Sequence, residues 1–237
     1  MDTFDPGEIS VVSPDAAARE NRFVNAVFMW MTGGLAATGV TAYYTAAVFG
    51  EFILRNQGLF MLLIILEVLM VMGLSFAVNR ISALAAAVCF SAYAVMNGIT
   101  LSWIFLAYDP QSIYRTFFIS SGVFGATGLY GYLTKRDLTT LGSLCMMGLF
   151  GVIIASIINL FWFNSMASLV ISILGVLIFV GLIAYDTQML KRLAGAVGAG
   201  EVDGETGKKY SIIGALQLYL DFVNLFLYLL RLFGSRK

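Results

Sequence analysis

The sequence predicts an all-α integral membrane protein, a seven-transmembrane-helix bundle with the last helix central. Three observations carry this. The 237 residues are 59% hydrophobic and only 12% charged, with a mean hydropathy of +0.87, whereas soluble domains carry about twice that share of charge. The apolar residues gather in runs of about 20, the length that crosses a bilayer as a helix. Nothing alternates as barrel strands do, and open strands cannot cross hydrocarbon.

Residues 1–22 are polar and acidic, with Pro6, Pro14 and no leading apolar core, and read as a polar cytoplasmic tail or short surface helix rather than a cleavable signal peptide. Residues 23–237 form one transmembrane domain, with spans at roughly 23–49, 58–78, 81–107, 112–133, 141–163, 167–189 and 210–233. Asn79-Arg80 is the whole break between the second and third, a tight hairpin. The 190–209 connector, LAGAVGAGEVDGETGKK in its main part, is Gly-rich and charged, and reads as flexible. Small residues recur inside spans (Gly33, Gly34, Gly39; Gly122, Gly125, Gly128; Gly148, Gly151), where they let helix backbones approach.

Orientation follows the positive residues. With the N-terminus inside, Arg19, Arg22, Arg80, Lys135, Arg136, Lys191, Arg192, Lys208 and Lys209 lie inside, nine in all. Arg55, Arg115, Arg231, Arg236 and Lys237, five, lie outside. A re-entrant last segment would return the last three and make the split twelve to two. The expectation is seven full spans with the N-terminus cytoplasmic. Arg115, just inside the fourth span, snorkels to headgroups.

Composition also excludes. Lys+Arg 14 balance Asp+Glu 14, and no basic run offers a nucleic-acid surface. There is no histidine, which removes histidine zinc sites, catalytic triads and imidazole relays. Titration near neutral pH then falls to carboxylates. Cys89 and Cys145 lie inside apolar segments and read as packing residues.

The chemistry therefore rests on the acids at membrane depth: Glu67, Asp186 and Asp221. A charge at mid-bilayer costs about 2.5–3.5 kcal/mol on insertion scales. In the last span, helical spacing places Tyr210, Gly214, Gln217, Asp221, Asn224, Tyr228 and Arg231 on one stripe about 100° wide, amid Leu, Phe and Val. Asp186 shares a polar and small face with Ser168, Ser172, Gly175 and Phe179. The plain alternatives are an Asp186 carboxylate hydrated and paired with Lys191 or Arg192, and an Asp221 carboxyl that merely locks its helix in place. The sharper reading is that the two face each other and share a proton. Two carboxylates in one low-dielectric site cannot both ionise at low cost. Protonation would hold the helices together; deprotonation would repel them or admit a hard cation such as Ca²⁺, which Asp, Asn and Gln oxygens suit. So few carboxylates fit passage better than storage. One tension stands: Asp221 lies about 18 Å of helix beyond Lys209, while Asp186 is near the inner edge, so the last helix must begin in the cytosol or a water-filled vestibule must reach inward. Glu67, with Leu63, Met70, Val71 and Leu74 on its face, is open to structural or ion-path roles.

ILEVLM around Glu67, GIT at 98–100, KRDL at 135–138, AYDTQ around Asp186 and LYLDFVNLFLYLLRLFG at 218–234 together resemble the Bax-inhibitor (transmembrane Bax inhibitor motif) family, in its bacterial members. The resemblance runs from about residue 20 onward. It implies a pH-sensitive calcium leak with a di-aspartyl sensor at Asp186 and Asp221, no cofactor beyond Ca²⁺ as the permeant or weakly bound ion, and location in a bacterial inner membrane. It also implies that a membrane-bound AAA protease is a partner of some members, so a regulatory role without conduction is the alternative. Family structures imply an arginine near the inner end of the second helix that latches onto the sixth-helix aspartate. Here that position holds Val78, and Arg80 is the nearest basic residue. Gln217, Asn224, Glu67 and Arg80 are expected to support the pair. Rival readings are weaker. An intramembrane aspartyl protease would share Tyr185-Asp186 but needs Gly-x-Gly-Asp where this chain has Tyr219-Leu220-Asp221, and a proton-coupled transporter usually needs internal repeats. No enzymatic activity is expected.

Overall fold

The computed structural model describes residues 14–77 and 81–237, with the side chains of Gln57 and 74–77 left aside. Val78, Asn79 and Arg80 lie outside the described residues, and with them the expected hairpin turn and the arginine latch. Among the described residues the chain forms seven helices: α1 (Pro14–Arg55), α2 (Gln57–Ala77), α3 (Ala83–Ala107), α4 (Pro110–Leu133), α5 (Thr139–Phe161), α6 (Ser165–Ala199) and α7 (Gly204–Phe233). α1, α3, α5, α6 and α7 are long and apolar enough to cross a bilayer. α2 holds a shorter apolar stretch, Gly58–Gly73, and α4 is diluted by Ser, Thr and Gly.

Helix ends follow local chemistry. Asn164 Oδ1 accepts from the N–H of Met166 at 2.9 Å and of Ala167 at 3.1 Å, opening α6. Asp203 Oδ1 accepts from Glu205 and Thr206 N–H at 3.0 Å, opening α7. Pro110 starts α4, where a missing N–H is harmless. α6 stops at Gly200, whose φ of 80° is a left-handed cap that glycine adopts without strain.

The boundaries correct one expectation. The 190–209 connector is not a flexible loop: α6 continues to Ala199 and α7 begins at Gly204. Two of its glycines, Gly198 and Gly207, lie against neighbouring chain. A Cβ on Gly198 would lie 3.1 Å from the Ala16 carbonyl oxygen, and one on Gly207 3.7 Å from Val197. Arg19 donates to the Gly198 carbonyl at 3.1 Å through Nε and at 2.7 Å through Nη2. α1 likewise begins at Pro14, inside the stretch read as tail.

Contacts across the bundle fix the topology. α1 and α3 run parallel, with Gly34 against Phe90, Gly98 against Thr38 and Gly50 against Leu106. α6 and α7 run antiparallel, with Gly207 on Val197, Gly214 on Leu190 and Gly175 on Tyr228. α5 returns antiparallel to α6 through Gly142 on Tyr185, Gly148 on Ile178 and Gly181 on Cys145. One face, here the N-terminal face, gathers the start of α1, the α4–α5 turn and the α6–α7 turn. The opposite face holds the α1–α2, α3–α4 and α5–α6 turns and the C-terminus, where Asp109 N–H donates to the Ser235 carbonyl at 3.1 Å and Lys237 N–H to that of Ala107 at 3.1 Å. α7 therefore runs uninterrupted from one face of the bundle to the other.

α7 is central: it packs against α6, α1, α4 and α3. Tyr219, fully buried, meets Phe90 edge-on at 5.6 Å and Tyr93 at 6.0 Å, while Phe222 meets Phe117 and Phe124 at 5.6 Å each. α5 and α2 turn large apolar side chains outward, among them Met147, Phe150, Leu62 and Leu69. Cys145 packs against Gly181 and Cys89 is half-buried; both are free thiols.

Candidate functional site: a buried aspartate pair between α6 and α7

The polar stripe of α7 faces α6. Antiparallel pairing of Gly214 with Leu190 and Gly175 with Tyr228 sets Asp186 level with Gln217 and Leu218, about one helical turn, roughly 5 Å, short of Asp221. Side chains tilt towards the N-terminus of their own helix. On antiparallel helices the Asp186 and Asp221 carboxyls thus lean towards each other and close that gap. They are hydrogen-bonding neighbours, and Gln217 donates to Asp186. Asp186 is 3% exposed and Asp221 5%. Asp221 Oδ2 is buried and makes no hydrogen bond of its own. The earlier tension disappears because both helices extend well past the pair: α6 for 13 residues beyond Asp186 and α7 for 17 before Asp221.

Neither aspartate has a cationic partner among the described residues. Their ion pairs are Arg55–Glu51 and Arg192–Asp137. Pairing of Asp186 with Lys191 or Arg192 is overturned, since both turn away: Lys191 donates to the Tyr132 carbonyl at 2.7 Å and lies 4.9 Å from its ring, and Arg192 reaches Asp137 at 2.9 Å.

The other sequence-singled residues fall elsewhere. Glu67 is on the far side of α7. It is buried, accepts from Asn97 Nδ2 and, at 2.7 Å, from the Thr100 hydroxyl. Next to it, Tyr93 meets Tyr219 edge-on, and the Tyr219 hydroxyl lies 2.7 Å from that of Thr38. Asn224 donates to the Leu220 carbonyl of its own helix at 2.8 Å, and Arg231 is exposed over Tyr228. Arg80 lies outside the described residues. Among the described residues no three acids or thiols gather as a metal cluster; the pair stands as two carboxyls and an amide.

Asp137, exposed in the α4–α5 turn, accepts from the N–H and hydroxyl of Thr139, the first residue of α5. The Thr139 hydroxyl and N–H and the Arg192 guanidinium hold its carboxyl at about 2, below the usual 3.8. A group lowered in the folded state stabilises above its ordinary value, and that contribution fades only as pH falls towards 2. Asp137→Asn should therefore lower the melting temperature equally at about pH 6 and pH 8. A loss that differs between the two would place a second titrating element in this turn.

A multi-pass helical bundle enclosing an acid pair is thus the class that fold and site define. The chain belongs to the Bax-inhibitor family: the family described as "Inhibitor of apoptosis-promoting Bax1" matches residues 20–237. It is 42% identical over 240 residues to the inner membrane protein YbhL of Escherichia coli K12, covering 100% of both chains. It is also 44% identical over 217 residues to a Rickettsia prowazekii protein (91% of this chain, 90% of the other), and 41% identical over 220 residues to one of Borreliella burgdorferi (92% and 94%).

Proposed function

We propose that the protein is a pH-sensitive Ca²⁺ leak, a conduit rather than a catalyst, lying in the bacterial cytoplasmic membrane with its N-terminus inside. The observation that supports this best is the meeting of Asp186 and Asp221, both buried, with no basic partner among the described residues. A shared proton neutralises half of the pair and ties α6 to α7. When it leaves, two like charges stand in contact where water does not screen them. That repulsion is relieved by separation of the helices or by a hard cation taking the carboxyl oxygens. Either opens the centre of the bundle to Ca²⁺, and two carboxylates without a third hold the ion loosely enough to release it. The positive residues of the N-terminal face, eight among the described residues against five opposite, support a cytoplasmic N-terminus.

The experiment is Ca²⁺ entry into dye-loaded vesicles carrying the purified protein, stepped from about pH 6 to pH 8. Entry should exceed that of protein-free vesicles and rise with pH. Entry equal to the protein-free control at every pH removes the proposal.

A further inference from the structure

The KRDL turn and the glutamine of AYDTQ have no part in the aspartate pair, yet the fold joins them one turn away from it. Gln188 is buried. Its Oε1 accepts from the Leu138 N–H at 2.9 Å and from Arg192 Nη2 at 3.1 Å, and its Nε2 donates to the Arg136 carbonyl at 2.8 Å. Arg192 continues to Asp137 at 2.9 Å, so one side chain of α6 fastens the turn by its backbone while its neighbour fastens it by charge. The same stretch of α6 is gripped from both flanks. A Cβ on Gly131 of α4 would overlap the Ala184 carbonyl, and one on Gly142 of α5 would lie 2.5 Å from the Tyr185 ring.

We infer that Gln188 is a positioning residue: with the α4–α5 turn it forms a bracket that sets the rotation of α6 and so aims Asp186 at Asp221. Ala184, Tyr185 and Gln188 are turned towards α4 and α5, which leaves Asp186 directed at α7. This rests on the reading of the pair as the functional site. Among the described residues, no ion pair joins another charge to the pair. On α7 its neighbour is Gln217; on α6, Lys191 and Arg192 are held away. α3 and α5 carry no charged residue, Arg115 of α4 lies by the opposite face, Arg19 of α1 binds Gly198, and Glu67 of α2 binds α3.

The test is an infrared titration, over about pH 5 to 9, of the carboxyl band that Asp221→Asn removes, using the full-length protein in lipid nanodiscs. Gln188→Leu takes away the bracket's hydrogen bonds, and Gly131→Ala pushes α4 off α6 without touching Gln188. Each should displace the midpoint by about one pH unit or more, a tenfold change in proton affinity. Ile104→Ala, which opens the cluster with Ile113 and Leu230, should leave it in place. Unmoved midpoints in both bracket variants, or an equal displacement in Ile104→Ala, overturn the inference. Ca²⁺ entry measured on the same preparations separates the two readings. A displaced midpoint in a protein that passes no Ca²⁺ upholds the bracket and removes the leak; pH-responsive entry with an unmoved midpoint does the reverse.

Discussion

Vesicles carrying Asp221→Asn should pass Ca²⁺ at one rate at about pH 6 and pH 8, while wild-type entry changes by about tenfold over that interval. An amide in place of the Asp221 carboxyl donates to Asp186 at every pH. The link between α6 and α7 then no longer depends on a proton, and no second negative charge forms to break it. The rate should stay near the wild-type value at the acid end. Asp186→Asn should behave alike, with the added strain of Gln217 facing an amide. Because the two carboxyls are hydrogen-bonding neighbours, the double variant should add little to either single change, the non-additivity expected of groups in direct contact. A double variant whose loss equals the sum of the singles would mean that the aspartates act separately.

Tyr219→Ala should cost about 3–5 kcal/mol of stability, the range for removing a large buried aromatic. Tyr219 is fully buried on the central helix, edge-on to Phe90 and Tyr93. It is also where α7 is hydrogen-bonded to α1, through Thr38. Thr38 already donates to the Ala94 carbonyl at 2.8 Å, so the Tyr219 hydroxyl is the donor between them. Tyr219→Phe keeps the rings and loses that bond, a change of about 1 kcal/mol. Unfolding in denaturant-titrated detergent micelles reads both. An alanine variant as stable as the phenylalanine one would mean that α7 is not held as the core of the bundle.

Much of this architecture is written in the sequence. Seven apolar runs become seven helices, and the one run with a polar stripe becomes the centre because only protein, not lipid, accepts Gln217 and Asp221. The pair is legible for the same reason: an acid with no room in lipid must find a partner, and Asp186 is on the next helix. The glycines of 190–209 misled because local composition cannot tell a glycine that breaks a helix from one that lets two helices touch. Gly198 and Gly207 are of the second kind, which only the fold reveals. Gln188 carries no such signal in the sequence, for a related reason. It lies two residues past Asp186, about 200° around the helix, hence off the acidic face, and its partners are backbone groups of a distant turn. Glu67 is read only as an acid at membrane depth, because its donors Asn97 and Thr100 come from α3; the Thr of the GIT motif is the available signal.

The most direct measurement compares Ca²⁺ entry at about pH 6 and pH 8 for wild type, the Asp186→Asn/Asp221→Asn double variant and protein-free vesicles in one assay. The aspartate-pair account predicts wild-type entry that rises with pH and a double variant whose entry does not change with pH. A double variant that follows the wild-type pH response, or wild-type vesicles no leakier than protein-free ones, would contradict it.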